Sequence, residues 1–140
     1  MSLDKSYFLA EGVYRRKLKA TPEVYEYAAR SISIYTQYKA DTTSIDKQHL
    51  KRLWGNEMRS LSKMEGRLLI KLVERHLGMS FYNLIAYVDD KGTADYYERL
   101  AKYGGIGSLK LGYDSSEYRV LEKVFQSEGA TEKITSQIKR

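Results

Sequence analysis

Apolar side chains along this chain recur at intervals of three and four residues, and hardly any stretch alternates between apolar and polar positions. Such spacing is typical of amphipathic α-helices, whereas half-buried strands alternate with a period of two. The chain also contains a single proline, the residue that most strongly interrupts helices. We therefore predict an all-α fold, a compact irregular bundle of about six to seven helices.

Turn and capping residues divide the chain into its predicted helices. The first runs from Asp4 to about Lys19, and the second begins with Thr21 as N-cap and Pro22 as the first helical residue. The other predicted N-caps are Ser44, Ser62, Ser80 and Thr93. A last helix is predicted over "SSEYRVLEKVFQ", after the irregular stretch "GGIGSLKLGYD".

The most specific helix start is the capping-box pattern "SKME". In such a box the Ser62 side chain accepts from the Glu65 backbone, while the Glu65 side chain accepts from the Ser62 N–H. Gly78 is the predicted end of this helix. Gly55 lies inside the preceding predicted helix, which it weakens by about 1 kcal/mol relative to alanine, so it predicts a kink or a close contact.

Length and composition predict one helical domain over residues 1–128, followed by a polar C-terminal tail over residues 129–140 that we expect to be loosely held. The absence of cysteine excludes disulfides, thiolate zinc sites and cysteine nucleophiles. No window approaches the roughly 18 to 20 apolar residues of a membrane-spanning helix. The start "MSLDKSYFLAEG" lacks the pattern of a signal peptide.

A row of cations recurs every four residues within "RSLSKMEGRLLIKLVERHLG". Its members, called the basic row below, are Arg59, Lys63, Arg67, Lys71 and Arg75. On one continuous helix they would lie along one side, where like charges four residues apart oppose each other by a few tenths of a kcal/mol. The capping box divides the row, so that Arg59 ends one predicted helix and Lys63 begins the next, which leaves Arg67, Lys71 and Arg75 as the stripe.

Two interpretations of the basic row remain open. It is either a solvated or ion-paired face, or a site for an anion or an acidic peptide, since arginine offers forked donors and lysine a point charge. In the ion-paired case the predicted acidic partners are Asp89, Asp90, Asp95 and Glu98. The net charge of +6 is compatible with an acidic partner. No nucleic-acid-binding motif accompanies the charge, which disfavours nucleic acid.

Thirteen tyrosines form the second unusual feature. Tyrosine joins a large apolar face to a hydroxyl and is common where surfaces meet partners or sugars. Tyr25, Tyr35, Tyr82 and Tyr97 fall at core spacing and are predicted at the rim of the core. Tyr96, Tyr103 and Tyr113 are instead predicted to form an exposed aromatic patch.

Residues with catalytic or metal-binding patterns are lacking. His49 and His76 are distant in sequence, and neither has a second ligand at metal spacing. "GGIG" follows a predicted helix instead of a strand, which disfavours a dinucleotide fingerprint. We expect no catalytic residues, no metal and no cofactor.

The stretch "LSKMEGRLLIKLVERHLGMSFYNLI" resembles the central segment of an uncharacterised Bacteroidetes family of domains of unknown function, DUF4294. "VYEYAARSI" and "YERLAKYGGIGSLKLGYD" are similar to two further segments of the family, so that the resemblance covers roughly residues 14–114. The family's Trp-Gln element is replaced here by "YYERLAKY". The resemblance implies no activity or catalytic residue. Because family members are typically made with signal peptides, it implies a periplasmic or envelope-associated protein, provided that a signal peptide was removed.

Taken together, these patterns predict a non-enzymatic helical interaction module that binds an acidic protein or anionic ligand through the basic helix face. The alternative is a tyrosine-lined sugar-binding domain or an enzyme of the cell envelope. The sequence carries no signal for the oligomeric state.

Overall fold

The computed structural model describes residues 8–139 of the chain, and over that range the fold is an all-α bundle without strands. Eight α-helices span these residues, slightly more than the six to seven predicted. They are α1 (Phe8–Ala20), α2 (Glu23–Ala40), α3 (Lys47–Leu50), α4 (Lys63–Leu77), α5 (Phe81–Val88), α6 (Lys91–Tyr103), α7 (Arg119–Ser127) and α8 (Ala130–Ile138). Residues 4–7 of the first predicted helix lie outside the described residues.

Helix α4 lies at the centre of the bundle, where it packs against α1, α2 and α5. Its capping box is confirmed, because the Glu65 N–H donates to Ser62 Oγ (3.2 Å) and the Ser62 N–H to Glu65 Oε1 (2.8 Å). Its end is confirmed at Gly78, whose φ of 70° is the left-handed conformation that favours glycine. Leu68 and Leu69, midway along α4, are fully buried.

Loss of the capping box provides a first test of this arrangement. Replacing Ser62 with alanine leaves the Glu65 N–H without its acceptor, so the free energy of unfolding should fall by about 1 kcal/mol in urea denaturation. Ser136→Ala, at an exposed position of α8, is the matched control and should change it by no more than about 0.5 kcal/mol. Equal effects of the two substitutions would contradict the capping role.

The helix predicted to follow Ser44 starts later and is irregular. Asp46 caps α3 by accepting from the Gln48 N–H (2.9 Å), so the Ser44 cap is wrong. Beyond α3 the chain continues as π-helical turns over Lys51–Glu57 and a 3₁₀ turn over Met58–Ser60. A Cβ on Gly55 would lie 3.2 Å from the Tyr97 hydroxyl, so this glycine permits a close contact with α6.

The predicted caps of α2 and α6 also differ from the structure, because the Thr21 hydroxyl binds another helix and Asp90 takes the place of Thr93. The Thr21 hydroxyl donates to Glu65 Oε2 (2.8 Å) and so ties the start of α2 to α4 instead of capping α2. At α6 the cap is Asp90, which accepts from the Thr93 N–H (2.6 Å), so Thr93 lies within the first turn.

The end of the chain is helical and docked, contrary to the predicted loosely held tail. Helix α8 packs against α2 and α7, and it starts at Ala130, which is fully buried together with Ile134. These two apolar side chains stand four residues apart and share one face of a helix whose only other apolar residue, Ile138, is 39% exposed. One buried stripe is therefore enough to hold this segment.

No helix among residues 8–139 has both the length and the apolar composition that crossing a membrane requires.

Candidate functional site

Lys71, the fourth member of the basic row, is buried inside the fold. Its Nζ donates to Glu74 Oε1 (2.9 Å) and to the Gly112 carbonyl (2.8 Å), and it lies 5.0 Å from the centroid of the Tyr118 ring. Glu74 also accepts from the Phe81 N–H (2.9 Å). Burial raises the pKa of Glu74, and the neighbouring Lys71 ammonium opposes that rise. Lys71 thus joins α4 to the loop that follows α6.

Arg75 joins α4 to the last two helices. Its Nε and Nη2 donate to the Glu122 carboxylate (2.8 and 3.0 Å), and its Nη1 donates to Thr131 Oγ1 (2.9 Å). Burial alone would raise the pKa of Glu122, but hydrogen bonds, with that from Arg75 foremost, hold it below its ordinary value. This forked pairing is the geometry in which arginine binds carboxylates most strongly.

Arg67 binds the start of the loop between α6 and α7. Its guanidinium donates to the Gly105 carbonyl and to the Ile106 carbonyl (3.4 Å). From the other side, Glu98 of α6 accepts from the Leu109 N–H (2.6 Å) and from the Ser108 hydroxyl (2.7 Å). Arg67, Lys71 and Arg75 therefore bind Glu74, Glu122 and loop carbonyls, and not Asp89, Asp90, Asp95 or Glu98.

Arg59 and Lys63 remain at the surface, at the other end of the basic row. Both side chains are exposed, and within residues 8–139 neither forms an ion pair with an acid. Lys63 extends towards the loop after α6, because a Cβ on Gly105 would lie 3.2 Å from its Nζ. Both cations line one cleft in the surface of the protein.

This cleft is bounded by the irregular segment 51–60, α4, α5, the end of α6 and the loop after it. Its volume is about 450 Å³, and its interior is mostly apolar. Trp54 and Phe81 line it with their rings edge to face at 5.8 Å, and Ile106 belongs to its wall. The Trp54 indole N–H donates to Ser31 Oγ (3.1 Å), which fixes the orientation of the ring.

The π-helical turns beside the cleft determine which side chains reach it. Such turns are rare in proteins and are frequent at functional sites. Here they carry Trp54, and the absence of a Cβ on Gly55 lets Tyr97 of α6 approach. Burial, with smaller contributions from Asp89 and Tyr96, raises the pKa of Tyr97 against the opposing charge of Arg59. The Tyr97 hydroxyl is therefore protonated at neutral pH and available as a donor.

The predicted aromatic patch is divided by the structure. Tyr96 and Tyr103 are exposed on α6, at 49% and 92%, and Tyr103 lines the cleft. Tyr113 is elsewhere: its ring stacks on Tyr118 at 5.4 Å, and its hydroxyl donates to Glu122 Oε1 (2.8 Å). Only two members of the patch are therefore exposed side chains of one helix.

Among the described residues, no group of three or more histidine, aspartate or glutamate side chains is arranged to hold a metal ion. His49 and His76 line different hollows of the surface.

One family model matches residues 13–127, and its description reads "Domain of unknown function (DUF4294)". The match spans α1 to α7 apart from the first five residues of α1, and it includes the cleft and the basic row, whereas α8 follows the matched segment. Searches of curated proteins and of solved structures found no match. A match over most of the chain shows membership, so the chain belongs to the DUF4294 family of domains of unknown function.

Proposed function

We propose that this chain is a non-enzymatic binding module for an anionic amphiphile, a small molecule with an apolar body and one acidic head group. A long-chain carboxylate is the simplest such ligand. The observation that carries the proposal is the apolar cleft with two exposed cations among its lining residues. Its volume of about 450 Å³ lies within the range of about 300–1,000 Å³ typical of small-molecule sites.

The two ends of such a ligand match the two parts of the cleft. Trp54, Phe81 and Ile106 offer apolar surface, and burial of an alkyl chain is worth about 0.8 kcal/mol per methylene. Arg59 and Lys63 offer forked and point-charge donors to a carboxylate. Because both cations are exposed, the head group would stay hydrated, which avoids the cost of burying a charge.

The basic row also favours a small anion over an acidic protein. Arg67, Lys71 and Arg75 have hydrogen-bond partners within the fold, so the row presents two exposed cations instead of five. Two neighbouring cations suit one head group. A broad acidic surface would need a broader set of exposed charges.

The finer predictions about this protein rest on the resemblance of its sequence. An origin in Bacteroidetes and a place in the cell envelope remain predictions, and an amphiphile is a ligand that an envelope would provide. The tyrosine-lined sugar site or enzyme remains the alternative prediction. The mostly apolar lining of the cleft favours the amphiphile, because sugars require many hydrogen-bonding groups.

Trp54 provides a direct test, because it is the only tryptophan of the chain and lines the cleft. Titration with a saturated long-chain carboxylate should change its fluorescence saturably, with calorimetry as an independent measure of Kd. Arg59→Glu combined with Lys63→Glu should weaken binding about tenfold at low salt, on the order of 1 kcal/mol or somewhat more for two exposed contacts. The effect should shrink as salt is added.

The matched control reverses two exposed cations outside the cleft lining, Arg16→Glu with Arg99→Glu, and so changes the net charge equally. This variant should bind as the unaltered protein does. The primary alcohol of equal chain length should bind more weakly than the carboxylate. Equal weakening by both double variants would refute the head-group contact, and absence of carboxylate binding in both assays would refute the proposed function.

A further inference from the structure

We propose that Ile106 determines the length of the apolar body that the cleft accepts, an inference that rests on the proposed function. A second, smaller cavity of about 120 Å³ adjoins the cleft. Ile70 and Ile106 line both cavities, so these two side chains form the partition between them. Ile70 belongs to the buried core of α4, whereas Ile106 projects from the loop after α6.

The Ile106 side chain is seated against a glycine. A Cβ on Gly66 of α4 would lie 3.3 Å from Ile106 Cδ1. Any larger residue at position 66 would therefore crowd the isoleucine side chain. At this point the partition consists of one side chain packed against the backbone of α4. Shortening that side chain would therefore open the smaller cavity to the cleft.

The backbone on both sides of this residue is held independently of its side chain. The Ile106 N–H donates to the Ala101 carbonyl (2.9 Å), and Arg67 donates to the carbonyls of Gly105 and Ile106. Gly105 and Gly107 have φ of 77° and 105°, which glycine adopts far more readily than other residues. A substitution of the side chain should therefore change the partition without releasing the loop.

The partition predicts where the benefit of a longer alkyl chain ends. As long as added methylenes are buried, each should tighten Kd about fourfold. Beyond the length at which the chain meets Ile106, further methylenes remain in water and Kd should level off. In Ile106→Ala the affinity should continue to rise over at least two further methylenes, about fifteenfold in Kd. In Ile106→Phe the levelling should come at shorter chains.

The experiment titrates a homologous series of saturated carboxylates against the unaltered chain and each variant, read by Trp54 fluorescence and by calorimetry. Leu111→Ala is the control, because Leu111 lines the smaller cavity, is 71% exposed and does not line the cleft. Its length profile should match that of the unaltered chain. Circular dichroism and urea unfolding test whether each variant is folded. If Ile106→Ala is not folded, the inference is decided by whether Kd levels off at shorter chains in Ile106→Phe.

The possible results separate the two proposals. Carboxylate binding with the same levelling point in the unaltered chain and the Ile106 variants overturns this inference and leaves the proposed function standing. If the chain length at which Kd levels off shifts equally in Ile106→Ala and Leu111→Ala, this inference is also overturned. Failure of the unaltered chain to bind any member of the series overturns the proposed function, and this inference with it.

Discussion

Replacing Lys71 with methionine should lower the free energy of unfolding by about 3–5 kcal/mol, as measured by urea denaturation at neutral pH. The Lys71 and Glu74 side chains are 8% and 0% exposed, and their charged atoms lie 2.9 Å apart. Methionine keeps the apolar stem of the lysine but leaves the Glu74 carboxylate buried without its cation. An isolated buried charge costs far more than an exposed one.

The partner substitution separates the ion pair from simple packing. In Lys71→Met combined with Glu74→Gln, the buried charge is gone, while the amide oxygen can still accept from the Phe81 N–H. We therefore expect the double variant to be more stable than Lys71→Met alone. If it is equally unstable or less stable, the uncompensated carboxylate is not the cause of the loss.

The loss should also depend on pH in a direction that Glu74 determines. Burial raises its pKa in the folded protein above the ordinary 4.5 even with Lys71 present. Because the native state then binds the proton more tightly, this carboxyl stabilises the fold most below 4.5, and that contribution is lost as the pH rises through the folded-state pKa. Without Lys71 that pKa rises further, so the gap between Lys71→Met and the unaltered chain should narrow in acid. A gap independent of pH would contradict this account.

Local signals in the sequence predicted the helices well. The start and end of α4 depend on contacts within a few residues of Ser62 and Gly78, so a short pattern contains all the required information. The caps of α2 and α6 were harder, since Thr21 has a partner 44 residues away and Asp90 competes with Thr93. A capping pattern indicates which side chains can cap a helix, but it does not show whether another residue caps it or whether the side chain binds elsewhere.

The partners of Arg67 and Arg75 could not be predicted, because they depend on tertiary contacts. Arg67 reaches Gly105 across 38 residues, and Arg75 reaches Glu122 across 47. The acids that the sequence suggested form other contacts: Asp90 caps α6 and Glu98 holds the loop after it. The repeat of like charges is tolerated because Arg67, Lys71 and Arg75 each bind different acceptors, while Lys63 is exposed to solvent.

The cleft was missed because core and cleft walls have the same sequence pattern. Trp54 and Phe81 occur at helical spacing, which does not distinguish a side chain packed in the core from one that lines a cleft. The available signals were Gly55 inside a predicted helix and the glycines around Ile106. Gly55 marks a close contact and the two glycines beside Ile106 mark positive φ, but neither signal alone predicts a binding site.

Replacing Ile134 with alanine should lower the free energy of unfolding by about 2–5 kcal/mol, the second of the two largest effects that we expect. Ile134 is fully buried on α8, the helix that packs on α2 and α7, so the substitution leaves a cavity under this helix. Ile138→Ala removes the same atoms from a side chain that is 39% exposed on the same helix, and it should cost about 1 kcal/mol or less. Both are measured by urea denaturation, with circular dichroism to follow helix content. Small and equal effects of the two substitutions would mean that α8 does not dock. A large loss of stability in Ile134→Ala alone would show that the docked helix stabilises the whole bundle, although α8 follows the segment that the family model matches.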